Sequence, residues 1–278
     1  MNILEFSLLV WMGSFTAGFI GALTGLGGGV VIVPLLTSIF GVDIRYAIGA
    51  SLVSVIATSL GAASTYIKKG FANVRLGMLL EVATTIGAIV GALIATFVSV
   101  KALSIVLAIV LIYSAYLSQR PKLEHSQGES SDSLASYFKL NSSYPTPEGL
   151  MSYQIHSLPV GFGVMWVAGV ISGLLGIGSG AFKVLAMDQV MRIPFKVSTT
   201  TSNFTIGVTA AASAGVYLAR GYIDPGLSMP VMLGILPGAF LGARVLLGAK
   251  TQILRIVFSL VLLLMALKMV YTSLAGGF

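Results

Sequence analysis

The chain is 278 residues long, 56% hydrophobic and only 9% charged, with a mean hydropathy of +0.97. A soluble domain carries about a quarter charged residues, so a soluble globular fold is excluded and a polytopic membrane protein is expected. The net charge of +7 is scattered between apolar runs rather than gathered into a nucleic-acid patch, and the absence of cysteine excludes disulfides, thiolate metal sites and a cysteine nucleophile.

The first residues, Met1-Asn2-Ile3-Leu4-Glu5, lack the basic start of a cleaved signal peptide, so the first apolar run is expected to remain as a membrane helix. Apolar runs fall at 6–24, 27–40, 46–67, 76–98 and 102–118. A polar stretch follows over 119–157, rich in Ser, Pro and Gly and holding His125 and His156; its composition is that of a solvated, flexible linker. Apolar runs resume at 158–176, 179–191, 196–219, 227–248 and 252–275. The chain therefore divides into a first membrane repeat (1–118), a polar linker (119–157) and a second membrane repeat (158–278).

The two repeats align without a gap at an offset of 151. Gly25, Gly27 and Gly29 fall on Gly176, Gly178 and Gly180, Ser51 on Ser202, Thr58 on Thr209, Tyr66 on Tyr217 and Gly70 on Gly221. Glycines, hydroxyls and a tyrosine kept in one frame mark an internal duplication. A single helix over 6–40 would run about 52 Å, too long for one crossing of a ~30 Å core. If its second piece crosses, each repeat makes five passes and the second enters from the opposite side. Lys and Arg then divide 11 to 4 between the two faces, against 7 to 8 for four passes. The expected fold is thus an all-α polytopic membrane protein of about ten membrane helices. They form two inverted five-helix repeats, each with a glycine-broken first hairpin, with both termini outside and the linker in the cytoplasm.

The glycine breaks, Gly25-Leu26-Gly27-Gly28-Gly29 and Gly176-Ile177-Gly178-Ser179-Gly180, add no charge to an apolar run. They lack the Gly-Lys-Ser/Thr of a phosphate loop. Close helix packing would explain any one glycine. Alternating glycines repeated in both halves point instead to unwound turns, whose backbone N–H groups and following helix N-termini suit an anion. Lys183, three residues past the second break, is either an anion contact or a snorkelling lysine. The next run in each half is rich in hydroxyls, which serve as anion ligands or as helix glue. Ser51, Ser202 and Asn203, beside the breaks, are placed with the site, and Thr209 shares a helix face with Ser202 and Thr205. Glu81 is a candidate proton relay, or a structural carboxylate paired with Arg75 or lying at the interface. Asp188 reads as the interfacial partner of Arg192, and Arg244 as an end anchor. Ser179 has no histidine base within its repeat's apolar runs, so catalysis is not expected; nor is a metal or cofactor.

Taken together, Gly25–Gly29, Gly176–Gly180 followed by Lys183-Val184, Thr201-Ser202-Asn203-Phe204, and Arg220-Gly221-Tyr222-Ile223-Asp224-Pro225 resemble the sulfite exporter TauE/SafE family, also called the toluene sulfonate uptake permeases. The resemblance covers both repeats. Ser179 stands where a glycine is common, and Leu185-Ala186 where a proline is common; Pro34 keeps that proline in the first half. The resemblance implies secondary transport, in a bacterial or archaeal plasma membrane, of a small sulfur-containing anion such as sulfite, thiosulfate, sulfoacetate or another organosulfonate. The anion would be held by Gly27, Gly28, Gly29, Gly178, Ser179, Gly180 and Lys183 with the hydroxyl and amide neighbours, with a coupling proton on Glu81. A passive anion channel and a membrane accessory subunit without flux are the alternatives.

Overall fold

The computed structural model describes residues 3–118, 132–146 and 149–274; Arg120, Lys122 and His125 lie outside them. The first part holds α1 (Ile3–Thr24), α2 (Gly29–Ser38), α3 (Ile44–Lys68), α4 (Val74–Ala95) and α5 (Val100–Ser118). A short helix α6 (Ser133–Tyr137) and a hairpin of β1 (Ser142–Thr146) with β2 (Gly149–Tyr153) follow. The second part holds α7 (Leu158–Leu175), α8 (Gly180–Leu185) continued by one π-helical turn (Ala186–Val190), α9 (Phe195–Ala219), α10 (Pro225–Gly248) and α11 (Thr251–Leu274).

Five of the described helices, α1, α3, α4, α7 and α10, are long and apolar enough to cross a membrane. Polarity is arranged as lipid demands. Leu60, Met78, Val82, Ile86, Leu93 and Leu218 face outward, while Ser51, Ser54, Thr58, Thr84, Ser202, Thr205 and Thr209 are buried. Helix starts are set by side-chain caps: Asp43 accepts from Arg45 N–H, Asn73 from Leu76 N–H and Asp224 from Leu227 N–H.

Small residues let the two parts interlock. Helix α1 packs along α10, α4 along α7, α3 along α9 and α5 along α11. A Cβ on Gly87 would lie 2.2 Å from Trp166 O, and one on Gly238 would lie 2.1 Å from Phe15 O. Backbones this close require glycine. Helices α3 and α9 run in opposite directions. At one end Arg45 and Tyr46, at the start of α3, meet Tyr222 beyond the end of α9. At the other, the Thr200 hydroxyl near the start of α9 donates to Phe71 O beyond the end of α3.

Each part opens with a helix that turns back on itself. Phe6 and Phe40 meet edge-on at 5.2 Å, so α2 returns to the end where α1 began. Met191 likewise returns to the start of α7, where its carbonyl accepts from His156 N–H at 3.3 Å.

Residues 132–146 and 149–157 correct the expectation of a flexible linker. Four of their apolar side chains, Ala135, Leu140, Tyr153 and Ile155, are buried in one cluster with Leu76, Leu80, Met191 and Val197, while Leu134, Tyr137, Phe138, Leu150 and Met151 stay exposed. The Asn73 amide donates to Leu140 O and to the Tyr153 hydroxyl, both at 2.9 Å. Sparse apolar residues, spaced to one face, suffice to dock a segment whose average composition is polar.

Candidate functional site

Two turns lie at the centre of the bundle. Between α1 and α2, Gly25, Gly27 and Gly28 have φ of +83°, +78° and +72°; between α7 and α8, Gly176 and Gly178 have +65° and +69°. Only glycine adopts these values without strain. Ser179, where the first turn has Gly28, is held at φ +23°.

The turns touch. A Cβ on Gly180 would lie 2.4 Å from Gly25 O, and one on Gly29 would lie 3.2 Å from Ile177 O. They are tied by two reciprocal hydroxyls. Ser51 on α3 donates to Gly176 O at 2.7 Å and to Gly29 O at 3.3 Å. Ser202 on α9 donates to Gly25 O at 3.1 Å and to Gly180 O at 3.3 Å. Several turn N–H groups are also engaged. Gly27 N–H donates to Gly21 O at 3.3 Å, and Ser179 N–H to Ser172 Oγ at 2.7 Å.

Asn203 reaches the first turn's approach. Its amide donates to Ala22 O at 2.7 Å and to the Tyr66 hydroxyl at 3.1 Å, and Tyr66 itself donates to Ala22 O at 3.0 Å. Among the described residues, Ser179 Oγ, Thr199 Oγ1 and Asn203 Oδ1 are buried without a hydrogen-bond partner. Thr199 and Asn203 lie four apart on one face of α9, and Thr199 Cγ2 is 2.9 Å from where a Cβ of Gly25 would stand. Unmet polar atoms are costly in a packed interior. These three stand beside the two turns.

Beside the turns sits a buried ion pair. Lys183 on α8 is 1% exposed and Glu81 on α4 is 7% exposed. The Lys183 ammonium donates to Glu81 Oε2, to Thr205 Oγ1 at 3.2 Å and to Thr209 Oγ1 at 2.8 Å. All three of its donors are thereby used. Thr209 donates in turn to Glu81 Oε1, and Thr85 adds a longer bond at 3.4 Å.

This corrects two expectations. Lys183 does not snorkel to an interface, and Glu81 pairs neither with Arg75, which is exposed, nor with water at the membrane surface. A charge pair this deep needs both the mutual attraction and the threonine hydrogen bonds to offset the desolvation of its two ions. Asp188 is also buried, at 1% exposure in the π-helical turn, where it accepts from Gln189 Nε2 at 2.7 Å. Arg244 is exposed, with its guanidinium 4.1 Å from the Phe240 ring.

The structure thus brings Gly29, Gly180, Ser51, Ser202 and Asn203 together at the turns, and Lys183, Glu81 and Thr209 into one cluster beside them. Sequence reasoning missed that Lys183 and Glu81 are partners, 102 residues apart. One signal was present. At the offset of 151 the two stand opposite Ile32 and Met232, so both charges break the internal symmetry. The roles of Thr85 and Thr199 were likewise unmarked, because hydroxyls are common along these helices.

Comparison with known proteins adds an independent line. The family model described as Sulfite exporter TauE/SafE matches residues 10–269. The probable membrane transporter protein YunE of Bacillus subtilis is 27% identical, covering 96% of this chain and 98% of its own. The probable membrane transporter protein YdhB of the same organism is 26% identical over 85% and 89% of the two chains. A probable membrane transporter protein, ORF9, of a Sinorhizobium species is 24% identical over 97% and 95%. No solved structure matches the chain at a significant level.

Proposed function

Because the chain belongs to the sulfite exporter TauE/SafE family, we propose that it is a secondary transporter of a small sulfur-containing anion: sulfite, thiosulfate, sulfoacetate or another organosulfonate. The anion binds where the two glycine turns meet, and access alternates as the turns part and close. The observation that carries this reading is the cluster of unmet polar atoms, Ser179 Oγ, Thr199 Oγ1 and Asn203 Oδ1, buried around two turns that touch beside a lysine.

The Lys183–Glu81 pair supplies the coupling. With Glu81 ionised, Lys183 is fully engaged and offers nothing to an anion. A proton on Glu81 removes its charge and frees the ammonium, so anion and proton enter the site together; the ammonium balances one charge of the anion, and the second charge of a dianion such as thiosulfate falls to the N–H and O–H donors of the parted turns. Thr205 and Thr209 hold the ammonium in place throughout. Hydroxyls and backbone N–H groups of the parted turns complete the anion's shell.

Two oppositely directed five-pass repeats support the movement. The reading draws on the opposite directions of α3 and α9, on the return of α2 and of the π-helical turn to the starts of α1 and α7, and on the division of basic residues. It places both termini outside the plasma membrane and residues 119–157 in the cytoplasm.

The test is uptake of labelled sulfite, thiosulfate and sulfoacetate into proteoliposomes that hold only this protein. Saturable uptake that quickens with an imposed proton gradient is expected. Resolved single-channel steps in planar bilayers would make it a channel, and no flux with any of the three would make it an accessory subunit.

A further inference from the structure

A crevice opens at the end of the bundle away from the docked segment. Arg45 and Ile48 from the start of α3, Thr96 beyond α4, and Tyr217, Arg220 and Tyr222 from the end of α9 line it. Its walls are buried: Ile48 is 1% exposed and Tyr217 5%. Its rim carries the two guanidinium groups. Among the described residues neither is paired with a carboxylate. The nearest acids in sequence, Asp43 and Asp224, are spent as helix caps, accepting from the N–H groups of Arg45 and Leu227. Arg45 lies 5.7 Å from the Tyr222 ring, a contact that holds its plane while leaving its N–H donors free.

The floor of this crevice is the roof of the second glycine turn. Ile48 Cγ2 is 2.3 Å from where a Cβ of Gly176 would stand. The Tyr217 hydroxyl points down onto Gly173 O and Leu174 O at 3.3 and 3.4 Å. From Arg45 to Ser51, which grips Gly176 O, is about 9 Å along α3.

The equivalent place at the other end is built differently. At the offset of 151, Arg45, Arg220, Tyr217 and Tyr222 correspond to Lys196, Lys69, Tyr66 and Phe71. There Phe71 is covered by Tyr144 of the hairpin, with ring centres 6.4 Å apart, Tyr66 is fully buried, and Lys196 Nζ donates to Leu247 O at 3.2 Å.

We propose that Arg45 and Arg220 form an anion-capture site at the mouth of the access path to the second glycine turn, selective for a small tetrahedral oxyanion or sulfonate. Two planar guanidinium forks over an apolar floor match the oxygens of such a group and tolerate a short apolar tail. The proposal rests on the transport reading for its purpose, but its test does not.

Purified protein is treated with phenylglyoxal at low ionic strength, with thiosulfate or with chloride at equal ionic strength, and each arginine's modification is followed by mass spectrometry. Thiosulfate, but not chloride, is expected to slow modification of Arg45 and Arg220 several-fold while leaving exposed Arg75 unchanged. Equal rates at Arg45 and Arg220 in both salts would overturn the site. In proteoliposomes, R45Q/R220Q is expected to raise KM about tenfold, as the loss of charge-assisted hydrogen bonds implies, with kcat little changed. An unchanged KM in a variant that still transports would also overturn it. Protection without transport by the wild type would leave the capture site standing and remove the transport reading.

Discussion

Ser51 and Ser202 each grip the glycine turn of the opposite part of the chain. Ser51 donates to Gly176 O at 2.7 Å and Ser202 to Gly25 O at 3.1 Å. Both also bond the turn of their own part, at Gly29 O and Gly180 O. Either alanine variant leaves two buried carbonyls short of a donor, at a cost of about 1–3 kcal/mol. Thermal unfolding in detergent should show a lower Tm for Ser51→Ala and for Ser202→Ala. Thr16→Ala, whose exposed hydroxyl bonds only Gly13 O in its own helix, should match the wild type.

The Lys183–Glu81 pair makes a sharper demand. Removing one partner leaves the other charge buried and alone, which costs about 3–5 kcal/mol. Lys183→Ile and Glu81→Met should therefore each destabilise strongly. The double variant installs the residues found opposite them, Ile32 and Met232, which already share an apolar cluster. It should regain most or all of the lost stability and still bind no anion. A double variant as unstable as the sum of the singles would show that the two side chains do not answer one another.

The turn contact can be probed by volume. Gly180→Ala pushes a methyl against Gly25 O, a backbone atom that can move only if the turns separate. It should lower Tm and raise the accessibility of the turns to hydrogen exchange. Gly163→Ala meets nothing within 4 Å and should change stability by less than about 0.5 kcal/mol.

Asn73 links the segment 132–157 to the bundle, bonding Leu140 O and the Tyr153 hydroxyl while capping α4. Asn73→Asp keeps the cap, as Asp224 does for α10, and loses both donors. It should speed proteolysis within 132–157 with little effect on the Tm of the bundle. Unchanged proteolysis would mean that burial of Ala135, Leu140 and Ile155 alone holds the segment.

Much of the helical architecture was legible because lipid leaves few options for an apolar run. The run at 76–98 became α4 over Val74–Ala95, and that at 227–248 became α10 over Pro225–Gly248. The docked segment was not legible, because composition averages over Leu140, Tyr153 and Ile155, whose spacing matters more than their number. At the site, Gly25 to Gly29 stood out because glycines at alternate positions recur in the same frame at Gly176, Gly178 and Gly180. The partnership of Glu81 and Lys183 did not, since a residue on α4 and one on α8 meet only through tertiary packing. The hydroxyls of α9 were visible as a group, and helical spacing set Thr205 and Thr209 apart from Thr200, which ties α9 to Phe71 O; that the first two hold an ammonium depends on α8, which spacing along α9 does not reveal.

The most direct test is calorimetric binding of thiosulfate, which carries no proton that titrates near neutral pH, in two buffers of different ionisation enthalpy. Wild-type protein should bind it with uptake of about one proton per anion. Glu81→Gln should bind it with no proton taken up, and Lys183→Ala should not bind it. Unchanged affinity in a folded Lys183→Ala protein, or binding by the wild type without proton uptake, would contradict a site in which Glu81 must let go of Lys183 before an anion can take its place.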